Sequence, residues 1–373
     1  MVSKYELTIS TGYVPDWGIV EALREIFQNA LDNETVNPEN KMEWKFENNT
    51  ISVSNKTSKL PIESLLLGCT TKADNKNTIG KWGEGYKIAF MVLLREGKKV
   101  TVYNYGAREV WEVRLVKSKR FNGQLITTVF VDREPVWKKV PDNNLTIEVS
   151  GISEDEYHEI VTKNLNLRRE SIKSFDNPSR GNIILNEEEK GNIYVKGLFV
   201  THIDELSFGY DFMPNILSLD RDRRMVSDFS ISWESSVLWQ IAASNDDKMK
   251  DKAVELFKQD KLDVRYFGSI LYSNEKVIEA ITEDFFNTYG LDAIPVMSSE
   301  EYEEVKISGT GKPIVVPERF INIIKQSNFV KERETIKTKS LQDKFRDFMD
   351  RIESKLTDEE LAEFEALINE IDI

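Results

Sequence analysis

Residues 21–33 read EALREIFQNALDN, and residues 79–90 read IGKWGEGYKIAF. The first stretch decides the reading of what surrounds it. Ile19, Leu23, Ile26, Phe27 and Ala30 recur at helical spacing, so a helix is expected from an N-cap at Asp16 to about Asn33. Glu25, Asn29 and Asp32, at i, i+4 and i+7, fall on one face of it. On an isolated helix such a polar stripe is a solvated face. Asn is a mediocre helix former, however, and Phe27, Ala30 and Leu31 argue that the helix is largely buried, which makes the stripe unusual for a solvated face. In the second stretch Gly80, Gly83 and Gly85 come immediately before an apolar helix. Glycine lets a backbone approach a ligand, and the free N–H groups of a helix start attract phosphate. Taken alone, the stretch is equally a plain glycine turn.

Working outward, residues 5–10 read as a strand and 11–15 as a turn. Asn37-Pro38 breaks the first helix. Residues 42–46 and 50–54 read as two strands, 61–67 as a helix, 68–85 as a polar glycine-bearing loop and 86–96 as a second buried helix. From 98 to 149 the pattern alternates, as in LITTVFVD and LTIEVS, which predicts a run of antiparallel strands. The first 150 residues are therefore α+β, with helices on one face of a sheet. A charged helix at 153–167 and a loop at 175–182 follow, then a strand NIYVKGLFVT at 192–201 and helices at 232–243 and 248–258. AIPV and KPIVV read as buried strands, each followed by a helix pattern, which makes a small α/β piece. In the tail, Leu341, Phe345, Phe348, Ile352 and Leu356 keep helical spacing, and a capping box at Thr357 to Glu360 opens another helix. The boundaries drawn are 1–152, 153–260, 261–332 and a helical tail, 333–373.

The chain has 373 residues, which suggests more than one domain. Its longest apolar run, residues 88–94, is seven residues, far below the roughly 20 of a membrane span. The start, MVSKYELTIS, has no apolar signal core, so a cytoplasmic protein is expected, with no membrane partner. One cysteine, Cys69, and two histidines, His158 and His202, leave no internal disulfide and no Cys/His metal cluster. The net charge of −14 disfavours duplex nucleic acid as a default partner.

Together, in this order and about 50 residues apart, the two stretches resemble the GHKL ATPase superfamily. Its members include gyrase B-type topoisomerases, ninety-kilodalton heat-shock chaperones, MutL, microrchidia ATPases and histidine kinases, and the pattern is nearest to the chaperone and microrchidia branches. The family's Glu-x-x-x-Asn-x-x-Asp-Asn/Ala box is matched at Glu25, Asn29, Asp32 and Asn33, and its glycine box by GKWGEGYKIAF. The resemblance implies a Bergerat-type ATP-binding α/β sandwich, then a transducer-like α/β domain. It implies ATP and Mg²⁺ as ligands. Glu25 would be the general base, Asn29 the magnesium ligand, and Asp32 and Asn33 pocket residues near sugar or adenine. Gly80, Gly83 and Gly85 would offer N–H groups to the phosphates. Lys87 and Lys72, the latter in the lid at 68–83, would add charge there or be ordinary solvated lysines.

One box departs from the family. Asn55 stands where the family has the Asp of Asp-x-Gly-x-Gly, and the glycines are missing from VSNKTSK at 53–59. An Asn oxygen can still accept from an adenine amino group, but it is neutral. This bears on adenine affinity and base choice. Thr146 matches a strand threonine that supports the base, or is an ordinary strand residue. Arg223, with Arg221 second, matches an arginine that reaches the γ-phosphate from the following domain, or belongs to a surface ion-pair cluster.

The implied activity is magnesium-dependent ATP binding and slow hydrolysis, driving lid closure and domain rearrangement or dimerisation. The setting would be chaperone-like or phage and bacterial conflict. The implied partners are ATP and ADP with a second copy or a protein client. The alternatives are a nucleotide-gated binding protein with little hydrolysis, or a nucleic-acid clamp.

Overall fold

The computed structural model describes residues 2–65, 85–133, 145–217, 228–267 and 274–331, with Phe348 and Thr357. Lys72, Gly80, Gly83, Arg221, Arg223, the lid segment at 68–83 and nearly all of the tail lie outside the described residues. The chain gathers into two compact units, Met1–Leu238 and Trp239–Ile373.

The first unit begins with β1 (Val2–Ser10), α1 (Ile19–Val36), β2 (Met42–Glu47) and β3 (Thr50–Asn55). It continues with α2 (Gly85–Arg95), β4 (Lys99–Asn104), β5 (Glu109–Lys117), β6 (Leu125–Asp132), β7 (Leu145–Ser150) and α3 (Glu154–Thr162). The seven strands form one sheet in the order β1-β6-β5-β4-β7-β3-β2. Every neighbouring pair is antiparallel.

The pleat sorts the sheet's residues by face. Ile51, Val53 and Asn55 on β3, Leu145, Ile147 and Val149 on β7, and Val100, Val102 and Asn104 on β4 are all buried. They share a face because Asn55 pairs with Leu145, and Leu145 with Asn104. The face is the helical one: the Asn55 Nδ2 donates to the Ala30 carbonyl of α1 at 3.0 Å, and Trp44 of β2 meets Phe27 of α1 edge-on at 6.4 Å. Burying Leu23, Ile26 and Phe27 of α1 there stabilises the layer by about 1.5–3 kcal/mol per side chain.

The first helix starts two residues later than expected. Trp17 N–H closes a turn on the Val14 carbonyl, which keeps Asp16 in that turn. Gly18 becomes the N-cap, its N–H donating to Glu21 Oε2 at 2.9 Å. Arg95 at the end of α2 secures the same turn, donating to the carbonyls of Thr11, Tyr13, Val14 and Trp17. At the far edge Ser153 and Glu156 form the capping box of α3, and Lys98 holds both Glu156 oxygens at 2.8 Å.

The remaining elements of this unit are β8 (Ser174–Asn177), β9 (Gly181–Ile184), β10 (Asn192–Val195), β11 (Leu198–His202), β12 (Gly209–Phe212) and the start of α4 (Asp228–Asn245). The five strands form a second, mixed sheet, β11-β10-β12-β9-β8, with β10 and β12 parallel. Two expectations are corrected. The loop at 175–182 is the β8–β9 hairpin. The strand at 192–201 is a hairpin too, because Lys196 and Gly197 both take left-handed conformations, φ 51 and 79, and reverse the chain. That turn is held on two sides: Gly197 N–H donates to Asp211 Oδ1 at 2.6 Å, and Lys196 Nζ donates to Thr35 Oγ1 of α1. Residues 61–67 yield only a 3₁₀ turn, Ile62–Leu65, among the described residues.

The second unit holds α5 (Asp247–Lys258), α6 (Glu275–Tyr289), β13 (Ala293–Val296), α7 (Ser299–Ser308), β14 (Lys312–Val315) and α8 (Glu318–Ile324). The β13 and β14 strands are parallel, which requires a crossover, and α7 supplies it. Phe285, Phe286, Ala293 and Ile324 form the core of this piece. No described helix is long and apolar enough to cross a membrane.

Candidate functional site

The polar stripe of α1 is buried. Glu25 and Asp32 have no exposed surface, and Asn29 is half-buried. A carboxylate is sequestered this way only where charges or hydrogen bonds compensate its desolvation. The helix that meets it is α2. Lys87, in the first turn of α2, is itself fully buried, so it is not a solvated lysine. Two facing helices thus sequester two carboxylates and an ammonium.

Gly85, the first residue of α2, locates the contact. A Cβ on it would lie 2.7 Å from Glu25 Oε2 and 2.8 Å from Asn29 Nδ2. A Cβ there would displace both groups, so the end of the glycine box rests directly on the carboxylate and the amide. The free N–H groups of a helix start lie beside Glu25, a position where the helix dipole favours negative charge. The Asn29 Nδ2 donates to the Glu25 backbone carbonyl at 2.8 Å, which puts the amide oxygen, a hard ligand, on the other branch. The Arg24 Nη2 lies 3.9 Å from Glu25 Oε1 and the guanidinium stacks on Trp17 at 5.6 Å. Burial, and secondarily the Asp32 charge, push the Tyr86 phenol well above its ordinary value, so Tyr86 stays neutral.

Asn33 stands further along the same helix, and Asn55 ends β3 against it. Asn33 donates to Ser58 Oγ at 2.5 Å and accepts from Asn40 Nδ2 at 3.1 Å. Both branches of its amide hold the chain at 40–58. Asn55 is buried, and its Nδ2 donates to two carbonyls, Ala30 at 3.0 Å and Asn40 at 2.8 Å. An aspartate here could make neither bond. The residue type that departs from the family's motif is the one this packing requires, and it still presents an oxygen as acceptor.

Thr146 is not brought to these residues. It pairs with Ser54, and its Oγ1 donates to Ser54 Oγ at 3.1 Å, on the face of the sheet away from α1. The residue of β7 that shares Asn55's face is Leu145, one position earlier. Sequence reasoning missed Asn104. It lies in the same row, donates to the Leu60 carbonyl at 2.7 Å and accepts from Leu60 N–H at 3.2 Å, pinning the segment that follows Asn55. An Asn at the end of an otherwise apolar strand face, KVTVYN, was the available signal.

No known family profile matches the chain. An uncharacterized protein of Mycoplasma pneumoniae (strain ATCC 29342 / M129 / Subtype 1) is 26% identical over 221 residues, 57% of this chain and 87% of that protein. Among solved structures, the ATPase region of Saccharomyces cerevisiae topoisomerase II is similar at 14% identity and a TM-score of 0.25, over 49% of this chain and 62% of that one. The match therefore spans less than two thirds of the topoisomerase chain.

Proposed function

We infer that the α1–α2 site binds ATP with Mg²⁺ and hydrolyses it slowly, as the resemblance of the two sequence boxes to GHKL ATPases implies. The observation that carries this reading is the seat of Gly85 on Glu25 and Asn29. Residues some 60 positions apart in sequence meet in the arrangement the two boxes require.

In this reading the N–H groups at the start of α2 face the phosphates, and Lys87 adds a fixed positive charge beside them. Glu25 orients a water and takes its proton as the water attacks the terminal phosphorus. Asn29 fits a magnesium ligand through its oxygen, the amide atom that carries the lone pairs, while its nitrogen donates to the Glu25 carbonyl. The ion, when bound, supplies charge neutralisation to the phosphates. Asp32 lies next along the stripe, toward the sugar and base, and the Asn55 oxygen accepts from the base. Arg223 and Lys72 complete the phosphate contacts, and closure of the segment at 68–83 excludes water.

Replacing Glu25 with Ala tests it. ATP hydrolysis should fall by about 10²–10⁴-fold while ATP affinity survives. Unchanged hydrolysis removes Glu25 as the base. The second reading, nucleotide-gated binding with little turnover, draws on the guanidinium of Arg24 standing beside the Glu25 carboxylate. Intact ATP recovered from the complex after hours would favour it.

A further inference from the structure

The turn that joins β5 to β6 breaks the charge balance of the chain. The protein carries −14 overall, yet between Glu112 and Asp132 it has Arg114, Lys117, Lys119 and Arg120 and no carboxylate. Arg114 is paired with Glu112. Lys117, Lys119 and Arg120 are exposed and form no ion pair among the described residues. Glu6 of β1 feels the charge of Arg120, but it is already held by Lys4 Nζ at 2.8 Å and Ser118 Oγ at 3.0 Å. The three cations therefore stand together with their charge uncompensated.

The turn is fixed by its own bonds. Asn122 and Gly123 take left-handed conformations, φ 50 and 81, and reverse the chain. Ser118 N–H donates to the Gln124 carbonyl and Gly123 N–H to the Ser118 carbonyl, both at 2.9 Å. Ser118 itself is buried, and the Arg120 guanidinium lies over the Phe121 ring at 5.5 Å. Cations held on such a turn lose less freedom on binding than cations on a loose loop. An apolar side chain stands among them. Leu125 is 43% exposed and directly opposite Lys117, so the two share a face of the hairpin.

The leucine decides between partners. Three uncompensated cations attract any surface that carries phosphates. A nucleic-acid backbone would satisfy the cations and leave Leu125 in water. A bilayer takes both, cations among anionic headgroups and the leucine at the acyl boundary. We propose that the β5–β6 turn rests on an anionic lipid surface, with Lys117, Lys119 and Arg120 on the headgroups and Leu125 dipped between them. The expectation of no membrane partner rested on the missing span and signal core, neither of which a contact of this kind needs. The surface is separate from the α1–α2 site and does not depend on the function inferred for it.

The full chain, without nucleotide, is sedimented with vesicles of phosphatidylcholine alone and with vesicles containing about 30% phosphatidylserine. It should bind the second and not the first, and raising salt from about 0.1 M to about 0.5 M should release it. Each cation is expected to contribute about fivefold, so Lys117→Ala/Lys119→Ala/Arg120→Ala should weaken binding about 10²-fold. Leu125→Ser should weaken it at least about threefold, with the parent's circular dichroism. The triple variant changes exposed side chains alone and keeps the test decisive should Leu125→Ser not fold. No binding to the anionic vesicles, equal binding to phosphatidylcholine, or a triple variant that binds like the parent would each overturn the proposal. So would folded Leu125→Ser binding like the parent, or duplex DNA displacing the protein from the vesicles at equal phosphate concentration, which would assign the turn to nucleic acid instead.

Discussion

Gly85 and Asn55 shape the site in opposite ways, one by lacking a side chain and one by the donors its side chain carries. Gly85→Ala would place a methyl within 3 Å of a carboxylate oxygen and an amide nitrogen, so both must move. If Glu25 and Asn29 act as proposed, a displacement of that size costs about 10²-fold in rate. ATPase assays on Gly85→Ala should show that loss, with near-parental turnover removing the seat from the mechanism. Asn55→Asp introduces the residue usual in GHKL ATPases, yet should destabilise the protein. It deletes two hydrogen bonds and turns a carboxylate toward two carbonyls, a cost of about 1–3 kcal/mol. Urea unfolding would read it, and a variant as stable as the parent would mean the amide is not holding α1. The Glu25-Asn29-Asp32 stripe was legible because i, i+4, i+7 spacing inside an apolar helix is unusual. Thr146 lies one residue from Leu145, the β7 residue that shares Asn55's face, and in a strand one residue changes the face.

At the scale of elements, the long alternating segment and the two buried helices were legible, since periodicity over many residues survives tertiary context. Short hairpins were not. The β8–β9 segment, SFDNPSRGNII, has little alternation to mark it. The β10–β11 turn uses Lys-Gly, where the usual hairpin signal is Asn-Gly or Asp-Gly. That turn carries its own prediction. Burial raises the Asp211 carboxyl to about 6 from its ordinary 3.8, against the opposing bond from Gly197 N–H. The folded state holds the proton more tightly, so stability is greatest below pH 4 and falls as pH rises through 6. Asp211→Asn keeps an acceptor for Gly197 and removes the charge. It should exceed the parent by on the order of 1–2 kcal/mol at pH 7.5 and match it near pH 4. A stability difference that is constant across that range would mean Asp211 does not titrate as placed.

For the whole molecule, the sequence divided the chain at 152, 260 and 332, while the described structure gathers into Met1–Leu238 and Trp239–Ile373. Composition marks loops and charged runs well but says little about which layers share a core. The parallel pair β13 and β14 was legible from two short apolar runs, each followed by a helix pattern. If nucleotide binding drives self-association, as the resemblance implies, the 43.1 kDa chain should run at twice that mass with a non-hydrolysable ATP analogue and magnesium. It should run at the single-chain mass without them. Light scattering that gives one mass under both conditions would separate nucleotide binding from dimerisation.

The donors of Asn55 also constrain descent. Two carbonyls from separate parts of the chain rely on one amide, so a lineage could place an acidic residue at position 55 only after another group had taken over both of them. That route needs at least two changes, the first of no benefit by itself. Epistasis of this kind would keep the amide in place whatever the neighbouring site binds.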